Sequence, residues 1–180
     1  MSDTQQHSSP EEASSESEVV SEKHQEKLQF AEEIGRILED DGHPRIAGRI
    51  LGWLMVCDPP YQSFDDLVDA LDVSKGSIST MTRKMIDSGL VKRVTFPGDR
   101  KSYYQVRSEA WVHVLEQRLQ LSNRFADVTK AGIKMMEDEP EKLQRRIREM
   151  HSFMVFFVEQ MEEAIGRYES KFDDVIPETG

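Results

Sequence analysis

The fold is decided by a stretch of the chain that reads SFDDLVDALDVSKGSISTMTRKMIDSG, residues 63–89. Its first part predicts a short helix over 64–71, because apolar residues recur there at helical spacing behind a capping pattern. A brief break follows, and Ser74 is a typical N-terminal cap for a second helix over 75–88. Two short helices joined by so brief a turn predict a helix-turn-helix.

Two runs rich in β-forming residues, 90–96 and 102–107, follow the second helix. The segment between them, 97–101, reads Pro-Gly-Asp-Arg-Lys, a composition typical of a hairpin tip. A hairpin directly after a helix-turn-helix is a wing. The predicted fold class is therefore mainly α, a winged helix-turn-helix with a two-stranded β wing and long N- and C-terminal helices.

Further segments flank this winged domain on both sides. Residues 1–22 are poor in apolar side chains and rich in Ser and Glu, which predicts a disordered acidic tail. The sequence thus divides into a tail at 1–22, an N-terminal helix at 23–43, the winged domain at 44–107, a C-terminal helical region at 108–172 and a flexible tail at 173–180.

The last predicted helix carries apolar residues that alternate in steps of four and three, which is a heptad pattern. These residues are Leu143, Ile147, Met150, Met154, Phe157, Met161, Ala164 and Tyr168. The pattern leaves two interpretations open, because the same face can pack inside one chain or form a seam between two copies.

Charge is distributed unevenly along the chain, whose net charge is −11. Residues 1–26 hold seven acidic residues against one lysine, a balance of −6. Residues 74–107 hold eight basic residues against two acidic ones, a balance of +6. A local basic patch can bind phosphate even when the whole chain is acidic, so the net charge does not exclude a nucleic-acid partner.

The second helix of the helix-turn-helix divides into two faces. Ile78, Met81, Met85 and Ile86 are expected to turn inward. On the other face, small polar residues would let the helix backbone enter a major groove about 12 Å wide. Arg83 is suited to a bidentate contact with guanine or to a phosphate contact. The alternative is an ordinary solvated helix face.

The hairpin tip adds a second group of candidates. Arg100 and Lys101 stand at the end of an arm that can reach the adjacent minor groove, and Asp99 is expected to orient Arg100 through a charge-assisted bond. The candidate DNA-binding residues are Ser74, Lys75, Gly76, Ser77, Ser79, Thr80, Arg83 and Lys84 on the helix, with Asp99, Arg100 and Lys101 at the tip.

Four segments in this order resemble MarR-type winged-helix regulators, most closely their GbsR-like branch. They are Gly48-Arg-Ile-Leu-Gly-Trp-Leu54, Ser74-Lys-Gly-Ser-Ile-Ser79, Ser88-Gly-Leu-Val-Lys-Arg93 and Pro97-Gly-Asp-Arg-Lys-Ser-Tyr-Tyr104. The resemblance implies a homodimer whose N- and C-terminal dimerisation helices interlock. It also implies two recognition helices in successive major grooves of a pseudo-palindromic operator, and a small-molecule effector that alters their spacing.

On this basis we expect a sequence-specific transcriptional regulator with double-stranded DNA as its partner, acting as a repressor. The alternative is a winged-helix protein-interaction module without DNA binding. The candidate dimer-interface residues are Phe30, Ile34, Leu143, Ile147, Met150, Met154, Phe157 and Met161.

Motifs for catalysis are missing from the sequence. The five histidines show no metal-ligand spacing, and no phosphate-binding glycine motif is present. We expect no catalytic residue, no cofactor and no metal site. The lone Cys57 is expected to be a small buried residue at a helix end, with a redox switch as the alternative.

The sequence also bears on location. No apolar run approaches the ~18 residues that a bilayer span needs. The N-terminus lacks the basic and apolar pattern of a signal peptide. We therefore expect a cytoplasmic protein without a membrane partner.

Overall fold

A computed structural model describes residues 10–175 of the chain, and the side chains of residues 20–171. The described residues form two compact units, the first ending at Ser108 and the second beginning at Glu109. The elements are α1 (Pro10–Asp40), α2 (Arg45–Val56), β1 (Gln62–Ser63), α3 (Phe64–Leu71), α4 (Lys75–Asp87), β2 (Val91–Val94), β3 (Tyr103–Val106), α5 (Ala110–Met135) and α6 (Glu141–Val175). The predicted winged, mainly helical fold with long terminal helices is confirmed.

Helices α3 and α4 form the predicted helix-turn-helix. The Ser63 hydroxyl accepts the Asp66 N–H at 3.2 Å, and the Asp66 carboxylate accepts the Ser63 N–H at 2.9 Å. This reciprocal cap works with Asp in place of the usual Glu. After α3, Asp72 adopts the left-handed conformation (φ 49). Ser74 then accepts the Ser77 N–H and starts α4, so local hydrogen bonds define both ends of the turn.

The core of the first unit joins α2, α3, α4 and the wing. Its fully buried large side chains are Ile50, Leu67, Leu71, Ile78 and Val91. Burying one such side chain stabilises the fold by roughly 1.5–3 kcal/mol relative to leaving it exposed. These residues come from α2, α3, α4 and β2. The helix α4 and the base of the wing are therefore fixed on the same core.

Glycines bring α1 and α2 into backbone contact. A Cβ added to Gly48 would lie 2.6 Å from the Ile34 carbonyl oxygen and 2.7 Å from the Gly35 Cα. A Cβ added to Gly52 would lie 2.7 Å from the Ala31 Cα. No larger residue fits at either position without movement of the backbone.

A carboxylate at this crossing holds two arginines of α2. Glu32 of α1 pairs with Arg45 and, at 2.8 Å, with the Nε of Arg49. The hydrogen bond from Arg45 lowers the pKa of Glu32, and the charge of Arg49 adds to this effect. Arg49 also donates from Nη2 to the Leu71 carbonyl oxygen at 2.8 Å. One guanidinium thus connects α1 to the last residue of α3.

The two terminal helices extend beyond their predicted limits. Helix α1 begins at Pro10 and not at residue 23, so residues 10–22 are helical where a disordered tail was expected. Proline suits a first helical turn, and no other Pro or Gly occurs before Gly35. Helix α6 likewise continues to Val175. The rest of the two predicted tails, residues 1–9 and 176–180, lies outside the described residues.

The wing belongs to a three-stranded antiparallel sheet of order β1-β3-β2, where two strands were predicted. Strands β2 and β3 pair over their full lengths, from Val91 opposite Val106 to Val94 opposite Tyr103. The extra strand β1 has two residues and pairs Ser63 with Tyr103. So short a strand carries no alternation that sequence reasoning can detect. Because β1 leads directly into α3, it ties the wing to the helix-turn-helix.

Helices α5 and α6 make up the second unit. The side of α6 that is buried or half-buried follows a regular heptad through Gln144, Ile147, His151, Met154, Val158, Met161 and Ile165. The Nδ1 of His151 lies 3.1 Å from both the Ala126 carbonyl oxygen and the Thr129 hydroxyl. Ile147 lies so close to Gly132 that a Cβ there would meet its Cδ1 at 2.2 Å. A heptad face of α6 therefore packs against α5 within one chain.

Within residues 10–175, none of the helices combines the length and the apolar character that crossing a membrane requires.

Candidate nucleic-acid interface

Helix α4 buries one face and exposes the other. Ile78, Met81 and Met85 are buried as predicted, but Ile86 is 36% exposed and Thr82 is 2% exposed. The prediction for Ile86 is therefore wrong. The Thr82 hydroxyl donates to the Ile78 carbonyl oxygen at 2.8 Å, and this bond lets a polar side chain enter the core at little cost.

The candidate residues of α4 lie on its solvent face. Ser77 and Ser79 are half-buried, and the exposed ones are Ser74, Lys75, Gly76, Thr80, Arg83 and Lys84. A Cβ added to Gly76 would meet no atom within 4 Å, so the fold does not require a glycine there. No side chain of the described residues therefore covers the backbone of α4 at Gly76, in the first turn of the helix.

The cations of this face have few carboxylate partners. Lys75 Nζ lies 3.5 Å from Asp65 Oδ1, and both side chains are exposed. Among the described residues, no ion pair within 4.0 Å includes Arg83 or Lys84. The first N–H groups of a helix also favour an anion. The face is thus able to bind phosphate without first giving up strong internal pairs.

A tight turn forms the tip of the wing. The Asp99 N–H donates to the Phe96 carbonyl oxygen at 3.1 Å, and Gly98 has φ 83. Proline at the second position and a positive-φ glycine at the third are typical of a type II turn. Arg100 and Lys101 follow this turn, and both are exposed.

Asp99 has a different role from the one expected. Its Oδ1 accepts the Lys101 N–H at 2.8 Å, and its Oδ2 accepts the Tyr103 hydroxyl at 2.6 Å. The expected bond to the Arg100 side chain is not formed among the described residues, and both carboxylate oxygens instead accept hydrogen bonds from within the hairpin. The hydrogen bond from Tyr103 lowers the pKa of Asp99, and the same bond raises the pKa of Tyr103 to about 12.

Three aromatic rings support the hairpin below its tip. Tyr61, Phe96 and Tyr103 contact one another with ring centroids 4.8–5.3 Å apart. Sequence reasoning missed this cluster, since Tyr61 comes from the loop before β1 and is far from the other two rings along the chain. The only available signal was two aromatic residues flanking the predicted tip.

The predicted dimer-interface residues divide between two environments. Ile147, Met154 and Met161 belong to the half-buried heptad face of α6. By contrast, Leu143 is 44% exposed, Met150 38% and Phe157 36%. These three apolar side chains form a strip beside the packed face, together with Phe153, which is 56% exposed.

The two candidates on α1 also have contacts within the chain. Phe30 is half-buried. Ile34 lies against α2, because its side chain would meet a Cβ on Gly52 at 3.1 Å. Ile34 therefore contributes to the α1–α2 crossing, whatever else it contacts.

The described residues bear on two other kinds of site, a metal site and a reactive thiol. No group of three or more His, Cys, Asp or Glu residues among them is arranged to hold a metal ion. Cys57 is buried, and burial raises the pKa of its thiol to about 11. A protonated, buried thiol is a poor nucleophile, which favours the packing interpretation over the redox switch.

Comparison with known proteins agrees with this architecture. A sequence profile for the MarR family matches residues 41–102, and a profile for MmpR5-like MarR family transcriptional regulators matches residues 109–171. The HTH-type transcriptional regulator MmpR5 of Mycobacterium tuberculosis is 35% identical over 144 residues, which cover 80% of this chain and 87% of the relative. The putative HTH-type transcriptional regulator YvaV of Bacillus subtilis is 30% identical over 80 residues, 44% of this chain and 45% of the relative.

Among solved structures, a crystal structure described as a transcriptional regulator superposes with a TM-score of 0.69 at 34% identity. It covers 81% of this chain and 99% of the other. The helix-turn-helix, the wing and the exposed basic helix face define a winged-helix regulator. The chain belongs to the MarR family of transcriptional regulators, and its C-terminal helices match the MmpR5-like members.

Proposed function

We propose that this MarR-family regulator binds double-stranded DNA with the solvent face of α4 in the major groove and the wing tip in the adjacent minor groove. The observation that carries the proposal is the pairing of an open helix surface around Gly76 with exposed cations on both elements. Small side chains let a helix backbone approach base edges, and Arg83 reaches farther for a guanine or a phosphate. Arg100 and Lys101 extend the contact to the minor groove.

A homodimer on a pseudo-palindromic operator is the second part of the proposal. The exposed apolar strip of α6, Leu143, Met150, Phe153 and Phe157, supports it, because such surface is normally covered in solution. Two copies would place their α4 helices in major grooves about 34 Å apart, one helical turn of DNA.

Replacing Phe157 with Asp tests the dimer. Burying a carboxylate in an apolar seam without a partner is costly, so Phe157→Asp should shift the protein from about twice 20.8 kDa towards the monomer mass. Sedimentation at micromolar concentration measures this shift. Ser152→Asp is the matched control, since it places the same charge at an exposed position about 140° around the helix from Phe157. A wild-type chain that sediments as a monomer would contradict the dimer.

Regulation is proposed in outline only. Occupation of a promoter would block transcription, and a small-molecule effector would relieve the block by changing the spacing of the two DNA-binding lobes. We assign no residue to the effector. Membership of the GbsR-like branch, a cytoplasmic location and the limits of the winged domain at 44 and 107 stay predictions.

Selection of bound fragments from a random DNA pool tests the function as a whole. The expected result is an enriched inverted repeat with half-sites about one helical turn apart. Failure to enrich any sequence, together with no retention on random DNA at low salt, would favour the protein-interaction module.

A further inference from the structure

The position of Arg100 at the hairpin tip is fixed by hydrogen bonds of the two neighbouring residues and not by bonds of its own side chain. The residue before it, Asp99, donates its N–H to Phe96, and the residue after it, Lys101, donates its N–H to the Asp99 carboxylate. Among the described residues, the Arg100 guanidinium belongs to no ion pair. Its direction therefore depends on the backbone around it.

That backbone is anchored through Tyr103. The hydroxyl of Tyr103 donates to the second oxygen of Asp99 at 2.6 Å, a short distance that marks a strong, charge-assisted bond. Asp99 is otherwise at the exposed end of a two-stranded arm. The bond to Tyr103 is thus what connects the carboxylate of the tip to the sheet.

Tyr103 itself is held on all sides. It pairs with Ser63 of β1 and with Val94 of β2, so it lies on the central strand of the sheet. Its ring packs against Tyr61 and Phe96 at centroid distances of 5.3 Å each. A side chain held in this way is a suitable fixed point for the exposed tip, because a group held by packing and pairing loses little further entropy when it hydrogen-bonds.

We propose that Tyr103 is a positioning residue for the wing, whose hydroxyl holds the Asp99 carboxylate and thereby presents Arg100 to DNA. The inference rests on the proposed DNA-binding function. It assigns the wing's affinity partly to a tyrosine that does not itself contact DNA, and it makes Asp99 a structural link in place of a direct contact.

A double-mutant cycle on operator affinity tests the proposal. The probe is the sequence enriched from the random pool, and the proteins are wild type, Tyr103→Phe, Arg100→Ala and the double variant. We expect Tyr103→Phe to weaken binding about fivefold, which is typical of losing one hydrogen bond. We expect Arg100→Ala to weaken it about tenfold and the double variant to bind no worse than Arg100→Ala alone.

Two further variants separate positioning from packing. Tyr104→Phe removes a hydroxyl from the next residue of β3, whose ring packs against the core, and it should bind DNA as wild type does. Asp99→Asn removes the acceptor's charge and should reproduce the loss in Tyr103→Phe, so the proposal stays testable if either variant folds poorly. Thermal melts of every variant check the fold.

The outcomes are distinct. Wild-type affinity in Tyr103→Phe, or losses that multiply in the double variant, would overturn the positioning role while leaving the proposed function intact. An equal loss in Tyr104→Phe would overturn it as well. If the proposed function itself is wrong, the wild-type protein will enrich no operator from the random pool. If Arg100→Ala binds the operator as tightly as wild type, the wing does not contact DNA and the positioning role of Tyr103 is excluded as well.

Discussion

The glycines of α2 and the glycine of α4 have opposite surroundings. A methyl group on Gly48 would meet backbone atoms of α1 at 2.6 and 2.7 Å, whereas one on Gly76 would meet nothing within 4 Å. Both glycines lie in segments that carry the family resemblance. The difference teaches that a small residue in α2 is required by packing, whereas packing does not require the small residue in α4, which is consistent with the proposed DNA contact.

The DNA-binding face of α4 and the α1–α2 contact should differ most in how strongly salt weakens their interactions. If a dimer neutralises ~6–10 phosphates, operator affinity should fall ~10³–10⁵-fold between 50 and 200 mM salt, because bound counterions are released from the DNA. The α1–α2 contact combines close backbone packing at glycines with ion pairs of Glu32, and partly exposed pairs contribute only about 0–1 kcal/mol, so urea unfolding should change little over the same range. Fluorescence anisotropy and urea titration give the two curves. Operator affinity that does not change with salt would contradict this difference and favour a protein partner.

Gly48→Ala should have the larger effect of the two methyl additions. The new Cβ collides with the Ile34 carbonyl and the Gly35 Cα, and overpacking of this kind typically costs about 1–3 kcal/mol. Urea denaturation should show a lower midpoint. An unchanged midpoint would mean that α1 separates from α2 easily, contrary to the tight contact.

Gly76→Ala should act in the opposite direction on stability. Alanine favours helix over glycine by up to about 1 kcal/mol, and no atom obstructs the methyl group. The same methyl should weaken operator binding about fivefold to tenfold, or ~1 kcal/mol or more, by standing between the helix and DNA. A melt and a binding titration on one sample decide it. A variant that is both stabler and fully active would remove the functional reason for this glycine.

Glu32→Gln should give the smallest effect and one that depends on pH. Because Arg45 lowers the pKa of Glu32 in the folded state, the pair contributes stability above the ordinary carboxyl pKa and loses it as pH falls through the folded value. We expect a loss of about 0.5 kcal/mol at pH 7, within the usual range for a partly exposed pair, and this loss should vanish in acid. Glu33→Gln, on the exposed side of α1, is the control. An equal loss in both variants would assign the effect to net charge.

How much the sequence predicts depends on whether a residue's partner is local. The helix-turn-helix was predictable because its caps act over three residues, as in Ser63 with Asp66 and Ser74 with Ser77. The solvent placement of Arg83 and Arg100 followed from helix spacing and from the hairpin tip. Thr82 was not predictable, because whether its backbone bond is needed depends on the core that surrounds α4.

The heptad of α6 shows the same limit. Periodicity selected Leu143, Met150 and Phe157, yet the packed face instead uses the next residue along in each heptad, Gln144, His151 and Val158. Two of those are polar, so a pattern of apolar residues passed over them. Their burial depends on carbonyl groups of α5 and the following linker, and these partners exist only in the folded chain.

Specific contacts of that packed face determine the register of α6 along α5. Ile147, Met154 and Met161 are spaced by one heptad, so their spacing alone does not select one position along α5. Gln144 donates to the carbonyls of Glu137 and Glu139 at 3.3 and 2.6 Å, and His151 lies 3.1 Å from the Ala126 carbonyl oxygen. After a slip, His151 would lose its α5 partner, at a cost of about 1–3 kcal/mol if the imidazole stays buried. The register of the helical pair is therefore specified by the His151 imidazole and by the fit of Ile147 against Gly132, while the Gln144 amide fixes the turn that leads into α6.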